Sequence, residues 1–280
     1  MGNYYCQVAG LPDISFDGSK LQYSTNRFKD ELYPALTSED ASFVDLLFLT
    51  RDNANLLELL RKGEDAVIAD AGCFTADELK EIISSAKNGD AQPGNVPAYL
   101  YGFLEYYFGN EGQERILWDD VLASRYYEYA SRSANSFVSS WFEFNRNLNN
   151  ILVAMAARKY KMSVADAVVG DGEVAEALRT SGARDFGLTG TLDYLEIVQR
   201  ISEESNLLER ERKLDELRWK WLDDNSVFNY FTVERLFVFL VKVGIVERWS
   251  ALDADKGMQR YNIMINNLKG GADLNSAKKE

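Results

Sequence analysis

The chain contains no histidine, which removes Ser-His-Asp and Cys-His nucleophile pairs, imidazole acid–base chemistry and His-ligated zinc at one stroke. Any catalysis would fall to carboxylates, Tyr, Lys or Arg. Cysteine is scarce: Cys6 and Cys73 form no CxxC pair and could make at most one bridge. The opening residues lack the basic-then-apolar order of a secretory signal, so a reducing cytoplasm is the expected compartment. Met1-Gly2 begins like a myristoylation signal, but Cys6 stands where that pattern wants Ser or Thr. Long apolar runs are missing too. The strongest, Leu236 to Val246, contains Lys242 and is too short to cross roughly 30 Å of hydrocarbon as a helix, so direct membrane insertion is not expected.

Positive charge is in deficit. Lys and Arg total 31 against 44 Asp and Glu, a net charge of −13, and no basic cluster offsets it locally. Nucleic acid and anionic lipid should be repelled. With 46% hydrophobic and 27% charged residues the chain has an ordinary globular composition. It has no Pro/Gly/Ser linker, so residues 1–270 read as one elongated domain, with 271–280 a disordered tail.

The apolar spacing is helical almost throughout. Residues 1–20 mix Tyr4, Tyr5, Val8 and Leu11 with Gly10, Pro12 and Gly18, which predicts a short extended piece and turns before helix begins near Ser24. Phe43, Leu46, Leu47, Leu49, Leu56, Leu57 and Leu60 form one face from Ser38 to Arg61, with Asp52-Asn53 a possible interruption and Gly63 a stop. Thr75-Ala76-Asp77-Glu78 is a capping box, and Asn88-Gly89 ends its helix. From Trp118 to Met162 the stripe of Trp118, Leu122, Tyr126, Tyr129, Ala134, Phe137, Trp141, Phe144, Leu148, Ile151 and Met155 predicts one continuous rod of roughly 60 Å at 1.5 Å per residue. Ser163-Val164-Ala165-Asp166 opens shorter helices, and Gly170, Gly172, Gly182, Gly187 and Gly190 mark turns. Residues 191–224 read as helix again. Thr232 to Trp249 has strand-like β-branched and aromatic content, but its length and cap-like Thr232 favour a buried helix. A last helix is expected from Asp253 or Asp255 to about Leu268. The fold class is therefore all-α, a multi-helix bundle containing at least one very long helix.

Candidate chemistry is thin. Asp119-Asp120 and Asp223-Asp224-Asn225 resemble the aspartate-rich magnesium motifs of helical prenyl-diphosphate enzymes, but the carboxylate such a motif needs further on is replaced by Ala123 and by Val227. The plainer readings are first-turn helix charge for the one and a polar turn for the other. The glycine-rich Gly170-Asp171-Gly172 and Gly182 to Gly187 follow no strand and lack GK[ST], so they read as connectors. Glu209 to Arg218 is a mixed-sign run, either a solvated face laced with weak pairs or a docking face. Trp118, Trp141, Trp219, Trp221 and Trp249 suit core packing first and partner anchors second. Neither a cofactor nor a metal is implied, nor any catalytic residue.

Several stretches together carry a family likeness. They are Asn3-Tyr4-Tyr5 with Val8-Ala9-Gly10-Leu11-Pro12-Asp13, Thr50-Arg51-Asp52-Asn53 with Asn55-Leu56-Leu57, and Asn147-Leu148-Asn149-Asn150 with Ala156-Ala157-Arg158-Lys159-Tyr160. Arg212-Lys213-Leu214-Asp215 with Arg218-Trp219-Lys220-Trp221, and Phe231-Thr232-Val233-Glu234-Arg235 leading to Val246-Glu247-Arg248-Trp249, complete the set. On these the chain resembles a family of bacterial proteins of unassigned function encoded among V-type ATPase genes, in the slot where the enzyme's C-type stalk component would be expected. More distantly it is similar to that C-type component itself, called d in vacuolar enzymes, an all-helical part seated between the membrane rotor ring and the central shaft. The resemblance implies a non-catalytic central-stalk connector in ion transport, cytoplasmic and peripherally associated with the membrane, with the shaft subunits and the proteolipid ring as partners. An assembly or regulatory adaptor for the same ATPase is the alternative. Arg158, Lys159, Arg212 and Arg218 are the candidate partner-binding residues, as charged groups near helix ends or in the mixed-sign run.

Overall fold

Side-chain oxygens set many of the helix starts. In the computed structural model, which describes residues 2–16, 23–68, 72–113 and 117–252, Ser24, Thr37, Thr75, Asn135, Ser163 and Asn206 each accept a hydrogen bond from a first-turn backbone N–H. These are donors that a helix terminus otherwise leaves unpaired. Among the described residues there are twelve α-helices and no strand: α1 (Tyr5–Ala9), α2 (Thr25–Glu31), α3 (Ser38–Lys62), α4 (Ala76–Asn88), α5 (Ala98–Gly109), α6 (Trp118–Ala130), α7 (Ser136–Lys159), α8 (Val164–Ala167), α9 (Glu173–Thr180), α10 (Leu195–Ser202), α11 (Leu207–Asn225) and α12 (Val233–Ala251). The all-α expectation holds, and Thr232 to Trp249 is helix. The Thr75 capping box forms in both directions, and Gly89 closes α4 in the left-handed conformation at φ 76°, where glycine alone carries no Cβ penalty.

The single long rod from Trp118 to Met162 does not exist. It is two helices, α6 and α7, separated by residues 131–135. The stripe itself contains the reason: Tyr129 to Ala134 is a step of five residues, which at 3.6 per turn leaves Ala134 about 140° off the seam. Ala134 is exposed. Asn135 then starts α7, its Oδ1 accepting from Val138 N at 3.1 Å while its amide donates to Glu234 Oε1 at 2.7 Å.

Other boundaries also move. The N-terminal stretch forms α1 instead of an extended piece, because Tyr4 is anchored on both sides. Its N–H donates to Phe231 O at 2.8 Å and its hydroxyl to Asp40 at 2.5 Å. Asp52-Asn53 does not interrupt α3, since tertiary partners satisfy both side chains there: Cys73 N and Phe74 N donate to Asp52, and Tyr99 Oη to Asn53. Residues 191–224 break at 203–206, where Asn206 caps α11. Asp223-Asp224 lies in the last turn of α11, not in a loop. The helix placed after Asp253 or Asp255 and the tail 271–280 lie outside the described residues.

Three long helices organise the packing. α3 packs on α4 and α6, with α5 against both of these; α7 touches α6, α8, α9, α10 and α11; α12 touches α2, α3 and α11, joining the two halves. One apolar cluster runs through all of it, from Tyr4 to Val243. At its middle, Trp141, Phe144 and Trp221 lie within 5.2–6.0 Å of one another, Phe144 and Trp221 stacked at 14°. Trp141 and Trp221 are thus packing residues, each contributing several kcal/mol of burial by the usual estimate of about 25 cal/mol per Å².

Candidate interaction surface

Charged side chains on helices either face water or need partners, and the three candidate arginines and one lysine divide on that line. Arg158, in the last turn of α7, lays its guanidinium 3.6 Å from the Phe186 ring centroid and donates to Ser181 O and Ala183 O. Phe186 is 1% exposed and holds a φ of 58°. Arg158 therefore clamps the turn between α9 and α10. Lys159 beside it is exposed, next to Tyr160 and Met162, which are also exposed.

On α11, Arg212 and Arg218 are six residues apart, about 120° from each other around the helix, and face different sides. Arg212 pairs with Glu216 at 3.2 Å and lies 5.5 Å from the Phe16 ring. Arg218 turns inward, and expecting it at an exposed surface is corrected by its partners. Its Nη1 donates to Asp215 Oδ1 at 2.9 Å and its Nε to Asn145 Oδ1 at 3.0 Å, and only 18% of its side chain is exposed. Burial lowers its pKa. Asp215 is 1% exposed; its Oδ2 accepts from Trp249 Nε1 at 2.8 Å and from Arg248. The mixed-sign run is thus a solvated face on one side and a buried polar cluster on the other.

A second polar cluster ties α2 and α3 to the segment before α4. Tyr33 Oη donates to Asp45 at 2.6 Å, and Cys73 Sγ lies 3.6 Å from Asp45 O. Burial raises the Asp45 and Asp52 carboxyls against the lowering effect of their hydrogen bonds, and it pushes the Cys73 thiol and the Tyr33 phenol up. Lys29 donates to Gly72 O and covers the Phe48 ring. Among the described residues no group of three or more Cys, Asp or Glu could hold a metal ion. Asp119 pairs with Arg61, and Asp223 with Lys242.

The feature that sequence reasoning missed is apolar and exposed. Between α11 and α12, Val227, Phe228 and Tyr230 are 53%, 88% and 64% exposed, with Phe231 beside them. Tyr5, also exposed, sits with its ring centroid 4.6 Å from that of Phe231. The signal was present in the order Asn225-Ser226-Val227-Phe228-Asn229-Tyr230-Phe231, where aromatics fall among turn-forming residues instead of on a stripe. Exposed aromatic side chains grouped in this way form a candidate interaction surface.

Fold and surface together define an all-α protein with one apolar core, inward-facing ion clusters and an exposed aromatic ledge. No described helix is long and apolar enough to cross a membrane. The chain belongs to the DUF2764 family, described as proteins of unknown function, whose model matches residues 1–272. Searches of curated proteins and of solved structures find no match.

Proposed function

We infer that this protein is a non-catalytic connector in the central stalk of a V/A-type rotary ATPase, held between the shaft subunits and the membrane rotor ring. Two things support the reading: the likeness to proteins encoded among V-type ATPase genes, and the aromatic ledge of Val227, Phe228, Tyr230, Phe231 and Tyr5. The ledge is the observation that carries it. An exposed ledge beside a rigid helical core suits a part that works through protein contacts, because aromatic anchors dominate interface energetics. A net charge of −13 disfavours anionic lipid as the alternative surface, and a close-packed helical core transmits strain.

The test is to purify the native ATPase in mild detergent and measure by mass spectrometry whether the protein is present and in what ratio to the catalytic subunits. A single copy, released with the shaft and not with the peripheral stalks, supports the connector. Absence from active complexes moves the assignment to an assembly or regulatory adaptor. Phe228→Ala with Tyr230→Ala should leave the melting temperature within about 1–2 °C, as surface changes do, while abolishing co-purification.

A further inference from the structure

A cavity of about 340 Å³ opens where α3, α6, α7, α11 and α12 meet, and Arg218 lines it. The charge balance around it is uneven. Asp215 is shared, one oxygen with Arg218 and the other with Arg248 and Trp249, so two guanidiniums face one carboxylate. Arg218 spends Nε and Nη1 on Asn145 and Asp215; its Nη2 has no acceptor among the described residues. The adjoining cavity shares Gly244 and Arg248 with this one and adds Arg51, an exposed arginine without a hydrogen bond or ion pair among the described residues. The carboxylate on that second lining, Glu247, is engaged by Thr25 of the same lining, accepting from its N–H at 2.9 Å and from its hydroxyl. Three arginines and two carboxylates line the two cavities, and Glu211 adds a further negative charge near Arg218. The remaining wall is flat and apolar, from Trp141 and Phe142, with Tyr127 beside them.

We propose that this seam is a binding site for a carboxylate carried on an aromatic body: the carboxylate takes Nη2 of Arg218, and the ring lies against Trp141 and Phe142. An arginine held by two fixed acceptors is already oriented, so little side-chain entropy is lost when a third acceptor arrives. A carboxylate accepts a stronger, charge-assisted hydrogen bond from Nη2 than a neutral group does. The volume suits a small ligand or the last residue of a peptide. The site does not rest on the connector reading, and either can fail alone.

The experiment is a titration of the full chain followed by NMR, with three probes: phenylacetate, its neutral counterpart 2-phenylethanol, and a Gly-Gly-Phe peptide with a free or amidated C-terminus. Phenylacetate should bind saturably with a Kd of about 1 mM, as expected of so small a ligand, and 2-phenylethanol should not. Arg218→Lys keeps a cation for Asp215 but loses the fork, and should weaken binding at least about tenfold. Arg51→Gln leaves the Asp215 cluster untouched and serves where Arg218→Lys fails to fold; it should weaken binding about threefold at low salt and little at high salt. A free-acid peptide that binds tighter than phenylacetate, and loses binding on amidation, assigns the occupant to a partner's C-terminus; the reverse order assigns a free small acid. Absence of saturable shifts, equal binding of 2-phenylethanol, or unchanged affinity in both variants overturns the site.

Discussion

Removing one carboxylate should cost more than any exposed ion pair in the molecule is worth. Asp215 is 1% exposed and holds Arg218, whose side chain is 18% exposed, together with Arg248, which is 48% exposed. In Asp215→Ala, Arg248 can turn to water, because a half-exposed pair is worth about 0–1 kcal/mol. Arg218, with only 18% of its side chain exposed, is far less free to reach water and stays as a poorly compensated charge against Asn145. Breaking a buried pair in this way costs about 3–5 kcal/mol, or roughly 6–20 °C in melting temperature at about 2–4 °C per kcal/mol for a chain approaching this size. Urea unfolding at neutral pH, followed by circular dichroism, measures it. Arg218→Met alone should cost less, since Asp215 keeps Arg248 and the Trp249 N–H. Adding Arg218→Met to Asp215→Ala should recover part of the loss, a coupling of at least about 1 kcal/mol. If Asp215→Ala costs under about 1 kcal/mol, or if the two losses simply add, the cluster is not the buried pair described.

Three further outcomes test other parts of the fold. Asn135→Ala removes both the α7 cap and the partner of Glu234, which is 7% exposed with its Oε2 already unpartnered; about 2–4 kcal/mol should be lost, read by the same denaturation. Gly72→Ala would drive a Cβ into Asp52 Oδ1, displacing the carboxylate that accepts Cys73 and Phe74 N–H, so hydrogen exchange at those two amides should quicken while α4 stays protected. Asp45→Asn bears on pH: burial raises the Asp45 carboxyl in the folded state, so its contribution is complete below the ordinary carboxylate value of about 4 and is lost as pH rises through the raised one. The asparagine variant should therefore gain melting temperature relative to the parent on going from about pH 4 to pH 7, and parallel curves would refute the assignment.

The fold was largely legible because helix periodicity and caps are local. Ser24, Thr75 and Ser163 could be read as starts from a few residues each, and the structure uses them so. What was not legible depended on partners distant in sequence. Nothing local distinguishes Asp52 as a helix-interior residue; the amides of Cys73 and Phe74 make it one. Tyr4 nucleates α1 through Phe231 and Asp40, neither visible from residues 1–20. The rod expected across residues 118–162 breaks for another reason: the five-residue step from Tyr129 to Ala134 interrupts a stripe whose other steps are regular, and the chain turns there between α6 and α7.

Residue type misled at the candidate site where position did not. The run from Glu209 to Arg218 looks uniformly solvated because its charges alternate in sign. Yet Leu214, Leu217 and Trp221 fix which side of α11 is inside, and Asp215 and Arg218, adjacent to the two leucines, share that side. A buried ion pair on an apolar face contributes little net stability compared with apolar residues of the same shape, so its retention asks for another account. The open cavity beside it supplies one: Arg218 is held by two acceptors, walled by Trp141 and Phe142, and left with one nitrogen unspent. Arg158 differs in place: both of its Nη atoms donate to the turn carbonyls of Ser181 and Ala183 and its guanidinium lies on the Phe186 ring, whereas Arg218 keeps one nitrogen toward an open cavity.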